Sequence, residues 1–302
     1  MDRFTTIKSV RVIYFSGTGG TKRIADAFGK ELRERGINVI TKNLGESLQD
    51  KKDAPFEEET GSADLNILLY PVYAMDAPRP VYDWIGRVTG QEAGGRIAVL
   101  SVSGGGEMWP NIGCRSNCCK MLEDRGFQIV YDRMLCMPAN VLIEYSDHLA
   151  MRLINVIPEK AARIADELLE GKLRRTLSRK GFVSESVTRL ERENAYKYAQ
   201  KYQITDECTR CGWCERNCPT NNIEMPGLTS KPRFKDQCVI CMRCIYGCPS
   251  KAIKVNGNFV LKNGFDLDAV ERRMKGVELE SVEKCCRSWL YKGVKAYLLD
   301  QN

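Results

Sequence analysis

The chain has 302 residues, 43% of them hydrophobic, with a formal net charge of +7 and fourteen cysteines. That length fits two domains better than one, and no run of about 18 apolar residues marks a membrane span. The start, MDRFTTIKSVRVIYF, lacks the apolar core and small-residue cleavage site of a signal peptide, so the expected location is the cytoplasm, where cysteines stay reduced and serve as metal ligands.

The first predicted element is a buried strand, VRVIYF, β-branched and aromatic without a breaker. It feeds the loop Ser16-Gly17-Thr18-Gly19-Gly20-Thr21, which opens an amphipathic helix over 21–35. Backbone N–H groups and the positive end of the helix dipole then converge on one point, a phosphate cradle. The hydroxyls of Ser16, Thr18 and Thr21 add donors. No GK[ST] ends the loop, so it is not a Walker A motif, and its glycine spacing does not fit GxGxxG. Further strands are expected over 36–44, 64–70, 96–102 and 127–134, with helices at 79–88, 111–125 and 148–170. Within the last span, 158–173 reads as a closing helix, with Pro158 in its first turn and Gly171 near its end. This alternation means a parallel sheet wrapped on both faces, with ligands at the carboxyl ends of the strands.

Two more loops should meet the first at that edge. The third strand runs into Tyr70-Pro71-Val72-Tyr73-Ala74-Met75, and the fourth into Ser103-Gly104-Gly105-Gly106-Glu107-Met108-Trp109. The glycines let backbone approach a flat ligand, and Tyr73 and Trp109 are placed to cover it. The phosphate loop resembles the [S/T]-x-T-G-x-T loop of flavodoxins, with Gly20 where that family has asparagine. The resemblance covers about residues 8–173 and implies an FMN cofactor. Its contacts would come from Ser16, Gly17, Thr18, Gly19, Gly20 and Thr21 on the phosphate, with Pro71, Val72, Tyr73, Ala74, Ser103, Gly104, Gly105, Gly106 and Trp109 around the ring. The fold class expected is α/β, a flavodoxin-like doubly wound parallel sheet.

Residues 174–203 carry eight Lys and Arg against three Asp and Glu. They read as a structured basic connector, helical from about 184 to 202. A floppy linker would hold more Gly and Ser. Without an aromatic-interleaved basic groove, nucleic acid is not expected as a partner. The excess charge is a solvated surface or a docking face for an acidic redox protein.

The next stretch, 204–256, contains Cys208-x2-Cys211-x2-Cys214-x3-Cys218-Pro219 and Cys238-x2-Cys241-x2-Cys244-x3-Cys248-Pro249. In this run the fourth cysteine ligates the other cluster. Cys208, Cys211, Cys214 and Cys248 are thereby assigned to one [4Fe-4S] cluster, and Cys238, Cys241, Cys244 and Cys218 to a second. Zinc ribbons need only two CxxC pairs per metal, and disulfides need an oxidising compartment. The stretch resembles the bacterial two-[4Fe-4S] ferredoxins, a small α+β domain whose clusters serve as its core. Trp213 and Tyr246, inside the cysteine runs, are expected to shield the clusters. Short strands should follow each run, at 222–225 and 251–254.

The tail, 257–302, is expected to form a helix over 280–299. Its apolar stripe, from Val282 through Trp289 to Leu298, would pack on the body or on a second copy in a homodimer. Six cysteines fall outside the cluster pattern: Cys114, Cys118, Cys119, Cys136, Cys285 and Cys286. They are read as plain thiols, and His148, the lone histidine, as a capping or surface residue.

Both halves together resemble flavodoxin–ferredoxin fusion proteins of anaerobic bacteria and archaea. That resemblance implies a low-potential electron-transfer protein relaying single electrons between two clusters and FMN. The alternatives are an FMN-dependent reductase of a small substrate held near Tyr73, Glu107 and Trp109, or a docking subunit of a larger redox complex. No paired-carboxylate or Ser/His/Asp constellation points to hydrolysis, so no catalytic residue is assigned.

Overall fold

The computed structural model describes residues 7–45, 62–90, 95–176, 197–227, 229–255 and 259–300, with Ser186, Arg189, Leu190, Asn194 and Ala195. Five strands build the first domain: β1 (Ser9–Tyr14), β2 (Asn38–Asn43), β3 (Leu65–Pro71), β4 (Arg96–Ser103) and β5 (Gln128–Cys136). All pair in parallel, in the order β2-β1-β3-β4-β5. This is the flavodoxin-like winding, whose switch in strand order lies between β1 and β3.

The period-2 alternation of the strands explains how one sheet serves two cores. Leu65, Ile67 and Leu69 of β3 join a core on one face, while Leu68 and Tyr70 join the core on the other. Strands β1 and β4 divide in the same way. The first face is covered by α1 (Gly20–Glu34), α4 (Asp147–Asn155) and α5 (Ile157–Leu169). The second is covered by α2 (Arg79–Ile85) and α3 (Ser116–Asp124). Each large side chain buried between helix and sheet contributes about 1.5–3 kcal/mol.

The helix expected over 148–170 is two helices. Ser146 caps α4 by accepting from the Leu149 N–H, and α4 ends at Val156, where Pro158 starts α5 within its first two positions. A proline lacks the N–H to continue a helix but suits a first turn. Gly171, at φ +74°, follows the end of α5. Helix α3 starts later than expected because 109–115 form turns.

Much of the predicted connector helix lies outside the described residues. The connector begins with a single parallel bridge beside β5: Arg174 donates its N–H to the Val130 carbonyl at 3.1 Å, and the Asp132 N–H donates to the Arg174 carbonyl at 2.8 Å.

The cysteine-rich unit is built from fragments. β6 (Gln203–Ile204) pairs antiparallel with β9 (Ile253–Lys254), and β7 (Ile223–Glu224) with β8 (Arg233–Phe234). Single turns, α6 (Trp213–Arg216) and α7 (Arg243–Tyr246), sit inside the cysteine runs. Its buried core is small, with Ala199, Tyr202, Met242, Ile245 and Ile253.

The tail returns to the first domain. A helix with no counterpart in the sequence reading, α8 (Leu267–Met274), packs on α4, where Arg273 forks onto Asp147 at 2.6 and 2.8 Å. The expected single helix over 280–299 is broken into α9 (Val282–Cys285), a 3₁₀ turn at Trp289–Tyr291 and α10 (Lys292–Leu298). Ser288 caps the 3₁₀ turn by accepting from the Leu290 N–H, so the chain restarts there. Cys286, Val294 and Tyr297 enter the first core, whereas Trp289 stays 75% exposed. Tyr297 lies under the buried Lys160 ammonium, which also pairs with Asp300.

The contact of α10 with the β4 loop is backbone on backbone. A Cβ on Gly106 would come within 2.5 Å of the Gly293 carbonyl carbon, and one on Gly293 would overlap the Gly105 carbonyl. Neither neighbour can yield by rotating a side chain. Gly293→Ala is expected to cost about 1–3 kcal/mol and lower the thermal midpoint by several degrees. An unchanged unfolding curve by circular dichroism would show that the tail does not hold this loop.

Candidate redox centres

The two cysteine runs repeat each other in backbone conformation as well as in spacing. Arg210 and Gly212 in the first run, and Ile240 and Met242 in the second, all have φ between +52° and +69°. Asn221 and Lys251, three residues past the last cysteine of each run, both sit at +51°. Left-handed residues spaced this way turn successive N–H groups inward, which suits a negatively charged body. The sulfurs accept those groups: Asn222 N–H donates to Cys218, Ile240 N–H to Cys238 and Ala252 N–H to Cys248, each at 3.3 Å.

The quartets exchange their fourth members. Cys208, Cys211, Cys214 and Cys248 line one small hollow together with Trp213. Cys244 lies among Cys241, Cys238 and Cys218, near enough for charge on one to oppose charge on the others. Among the described residues no three His, Cys, Asp or Glu groups crowd together as they would round a single metal ion. The environments differ. Cys211 is exposed, and the Trp213 N–H holds its thiol below the ordinary value. Burial pushes Cys238 up to about 11 and Cys241 up to about 12. Thiolates there need positive iron to stabilise them. Trp213 packs where a side chain at Gly247 would overlap its ring, and the Tyr246 hydroxyl donates to the Asn140 carbonyl at 2.6 Å.

At the carboxyl edge of the sheet, a cavity of about 810 Å³ opens beside the β1 loop. Its wall includes Ser16, Gly17, Thr18, Gly20, Thr21, Pro71, Val72, Tyr73, Ala74, Ser103 and Gly104. Gly19, at φ +97°, caps α1. The Ser16 hydroxyl accepts from the Gly19 and Lys22 N–H groups at 3.2 and 3.3 Å, fixing the loop. The N–H groups of Gly20 and Thr21, in the first turn of α1, have no carbonyl four residues back to take them. A cradle of first-turn amides with the Thr18 and Thr21 hydroxyls beside it fits a phosphate, and the apolar stretch from Val72 to Val102 fits a flat ring.

The remaining members of the expected FMN set lie elsewhere. Gly105 and Gly106 turn toward Gly293, and Trp109 is 73% exposed, none of them on the cavity wall. Glu107, expected near a substrate, is ion-paired with buried Arg115. That guanidinium also donates to Asp132 at 2.9 Å, Ser101 at 3.0 Å and Thr176 at 2.9 Å.

Sequence reasoning missed several cavity residues: Asn140, beyond β5; Leu190, Asn194 and Tyr198 of the connector; and Phe259 and Phe265 of the tail. Asn140 is the most telling. Its side-chain amide donates to the Thr18 hydroxyl at 3.0 Å and to the Cys241 carbonyl at 3.1 Å. It thereby stands between the phosphate loop, where position 20 lacks an asparagine, and the second cysteine run. No local pattern marks such a residue.

The two halves meet at Gly17. Its Cα faces the Tyr73 hydroxyl and Cys241, and Arg243 donates to the Gly17 carbonyl and, at 2.7 Å, to the Ser16 carbonyl. Val239 and Ile240 line the cavity directly. The run containing Cys241 therefore abuts the cavity, and among the described residues none from the run containing Cys211 lines it.

The other thiols lie outside both quartets and are free. Burial pushes Cys114 up to about 11 and Cys119 up to about 12, and raises Cys118 and Cys136 further. Buried neutral thiols are poor nucleophiles. Cys285 and Cys286 are likewise raised by burial. His148 accepts the Glu280 N–H at 3.3 Å on Nδ1, tying α4 to the tail.

Residues 207–252 match the 4Fe-4S dicluster domain family, which accounts for both quartets. No curated protein matches the chain. Among solved structures, flavodoxin 1 from Bacillus cereus is 17% identical over 56% of this chain and 99% of its own, with a TM-score of 0.38. The flavodoxin of Megasphaera elsdenii is 17% identical over 51% and 98%, at 0.34. The general stress protein 14 of Treponema denticola, solved in complex with FMN, is 10% identical over 54% and 98%, at 0.38. The fold of the N-terminal half follows from its strand order.

Proposed function

We propose that this chain carries single electrons between two [4Fe-4S] clusters and an FMN held in the cavity at the sheet edge. The exposed quartet, with Cys211 at the surface, is the outer port. The quartet of Cys218, Cys238, Cys241 and Cys244 is the inner station. The observation that carries this reading is the packing of Cys241 against Gly17 and Tyr73 at the cavity wall. Bound FMN would supply the step between one-electron and two-electron chemistry, which the clusters alone lack.

The chain's own residues have distinct tasks in this scheme. The first-turn amides of α1 and the Thr18 hydroxyl bind the phosphate, and Ser16 keeps the loop in shape. The turn after β3 is locked by paired hydrogen bonds between Tyr73 and Asp76, each 2.9 Å. Asp76, itself buried, accepts from the Tyr82 hydroxyl at 2.7 Å and the Asn117 amide at 3.1 Å. Tyr73 is thus fixed beside the ring site, edge-on to Phe15 with centroids 6.4 Å apart. Asn140 and Arg243 clamp the inner cysteine run onto the loop. Covalent linkage and this clamp hold donor and acceptor at high effective concentration. Among the described residues no helix is long and apolar enough to cross a membrane.

Protein purified anaerobically is expected to hold about eight irons and one FMN per chain. After mixing with dithionite under argon, the cluster band near 400 nm and the flavin band near 450 nm should both bleach. Stoichiometric zinc without iron, or a flavin left oxidised beside reduced clusters, would overturn the proposal.

A further inference from the structure

The cavity at the sheet edge has an outer wall that the parallel sheet does not build. Leu142 beyond β5, Leu190 and Tyr198 of the connector and Phe259 of the tail all line it. Three of these segments are joined to one another. The Leu142 N–H donates to the Phe259 carbonyl at 2.8 Å, and Val141 and Val260 form a bridge. The Tyr198 and Phe259 rings meet edge to face, with centroids 6.3 Å apart. Val141, Ile240 and Phe259 also pack on the small core of the cluster unit, so this wall is the outer side of that core.

The wall leaves apolar surface uncovered. Leu142 is 75% exposed, Leu190 58% and Tyr198 42%. One exposed leucine is ordinary, but several large apolar side chains lining one concave wall mark a place where an apolar body is held. Leu142 also sits at φ +65°, a conformation that bulky residues rarely keep. Among the described residues no Asp, Glu, Lys or Arg lines this cavity. A ligand's charge therefore belongs at the α1 amides, and the outer wall suits an uncharged, flat surface.

We infer that Tyr198, Phe259 and Leu142 form a shelf against which the ring of bound FMN lies, the place that the exposed Trp109 does not fill. The shelf presupposes the FMN reading above and adds to it: the connector and the tail hold the cofactor together with the first domain, and the ring is seated on the core of the cluster unit. Aromatic and apolar contact supplies the affinity there.

The test titrates FMN into the full chain, loaded with clusters and stripped of flavin, and follows the quenching of flavin fluorescence. The double variant Tyr198→Leu, Phe259→Leu should weaken binding about tenfold or more. Tyr198→Phe should bind as wild type, because the ring and not the hydroxyl makes the contact. Trp109→Ala should also bind as wild type. Iron content equal to wild type shows that each variant carries its clusters. Should the double variant lose iron, Leu142→Asn decides. Asparagine suits a positive φ better than leucine, so the thermal midpoint should hold while FMN binding weakens about threefold or more. A wild-type chain that takes up no FMN overturns both the shelf and the FMN reading. A wild-type chain that binds FMN one to one, with the double variant or Leu142→Asn binding equally tightly, overturns the shelf alone. A loss in Tyr198→Phe as large as in the double variant would assign the effect to the hydroxyl and overturn the shelf as well.

Discussion

Cys241→Ser should remove one cluster and, with it, the route to the flavin. Cys241 is buried, its sulfur accepts from the Arg243 backbone, and burial drives its thiol up to about 12. A serine hydroxyl is a poorer iron ligand, and the three thiols left would sit neutral in the same pocket. Iron should fall from about eight to about four per chain. Flavin reduction by dithionite-treated clusters should slow by about tenfold or more, equivalent to about 1.4 kcal/mol in barrier. The comparison is Cys211→Ser. It should also halve the iron, but the inner quartet next to Gly17 survives and the flavin should still bleach. Equal flavin rates in the two variants would remove the inner and outer ranking of the clusters. Since the unit has so few buried apolar residues, iron chelation of the native protein should also unfold residues 204–256 while leaving the parallel sheet intact. Far-ultraviolet circular dichroism with limited proteolysis reads that difference.

How much of this was open to a sequence reader depends on the range of the interaction. The five strands were legible because each is fixed locally, by β-branched runs bounded by turn residues. The cluster unit was legible because its ligands recur at fixed short gaps, and a repeat of thirty positions from Cys208 to Cys238 is visible by eye. Helix breaks were less so. Pro158 was correctly placed in a first turn, yet the end of the preceding helix at Val156 carries no strong signal. The tail was read as one stripe because Val282, Cys286, Trp289 and Leu298 fit a helical period. The break at Ser288 leaves Trp289 in solvent while Val294 and Tyr297 reach the core. The three glycines after β4 show a different limit. Their lack of a side chain was read as room for a ligand, but Gly105 and Gly106 make room for the backbone of α10. A sequence shows that something comes close there and not what. Asn140, Tyr198 and Phe259 reach the cavity only through packing of segments far apart in the chain.

Gly17→Ala should disturb the phosphate loop and the inner cysteine run together. The added Cβ would overlap the Tyr73 hydroxyl and lie 2.9 Å from the Cys241 Cβ and 3.2 Å from its carbonyl oxygen. Tyr73 is held by its turn, and Cys241 by its cluster, so neither moves cheaply. Forcing a methyl into such a space costs about 1–3 kcal/mol, which corresponds to roughly ten- to hundredfold in FMN affinity if the loop gives way. If the domains separate instead, FMN stays and electron transfer from the inner cluster slows. Gly19→Ala separates packing from backbone strain. Gly19 has nothing within 4 Å of a new Cβ but sits at φ +97°, so its cost of about 1 kcal/mol is conformational alone. Tyr73→Phe supplies the second control, because removing the hydroxyl clears the nearest obstacle. The double variant Gly17→Ala, Tyr73→Phe should recover part of the loss but not all, since Cys241 remains. Fluorescence titration with FMN measures each arm. Wild-type affinity and wild-type flavin reduction in Gly17→Ala would mean that Gly17 and Cys241 do not pack together in solution, and the proposed electron path would lose the observation it rests on.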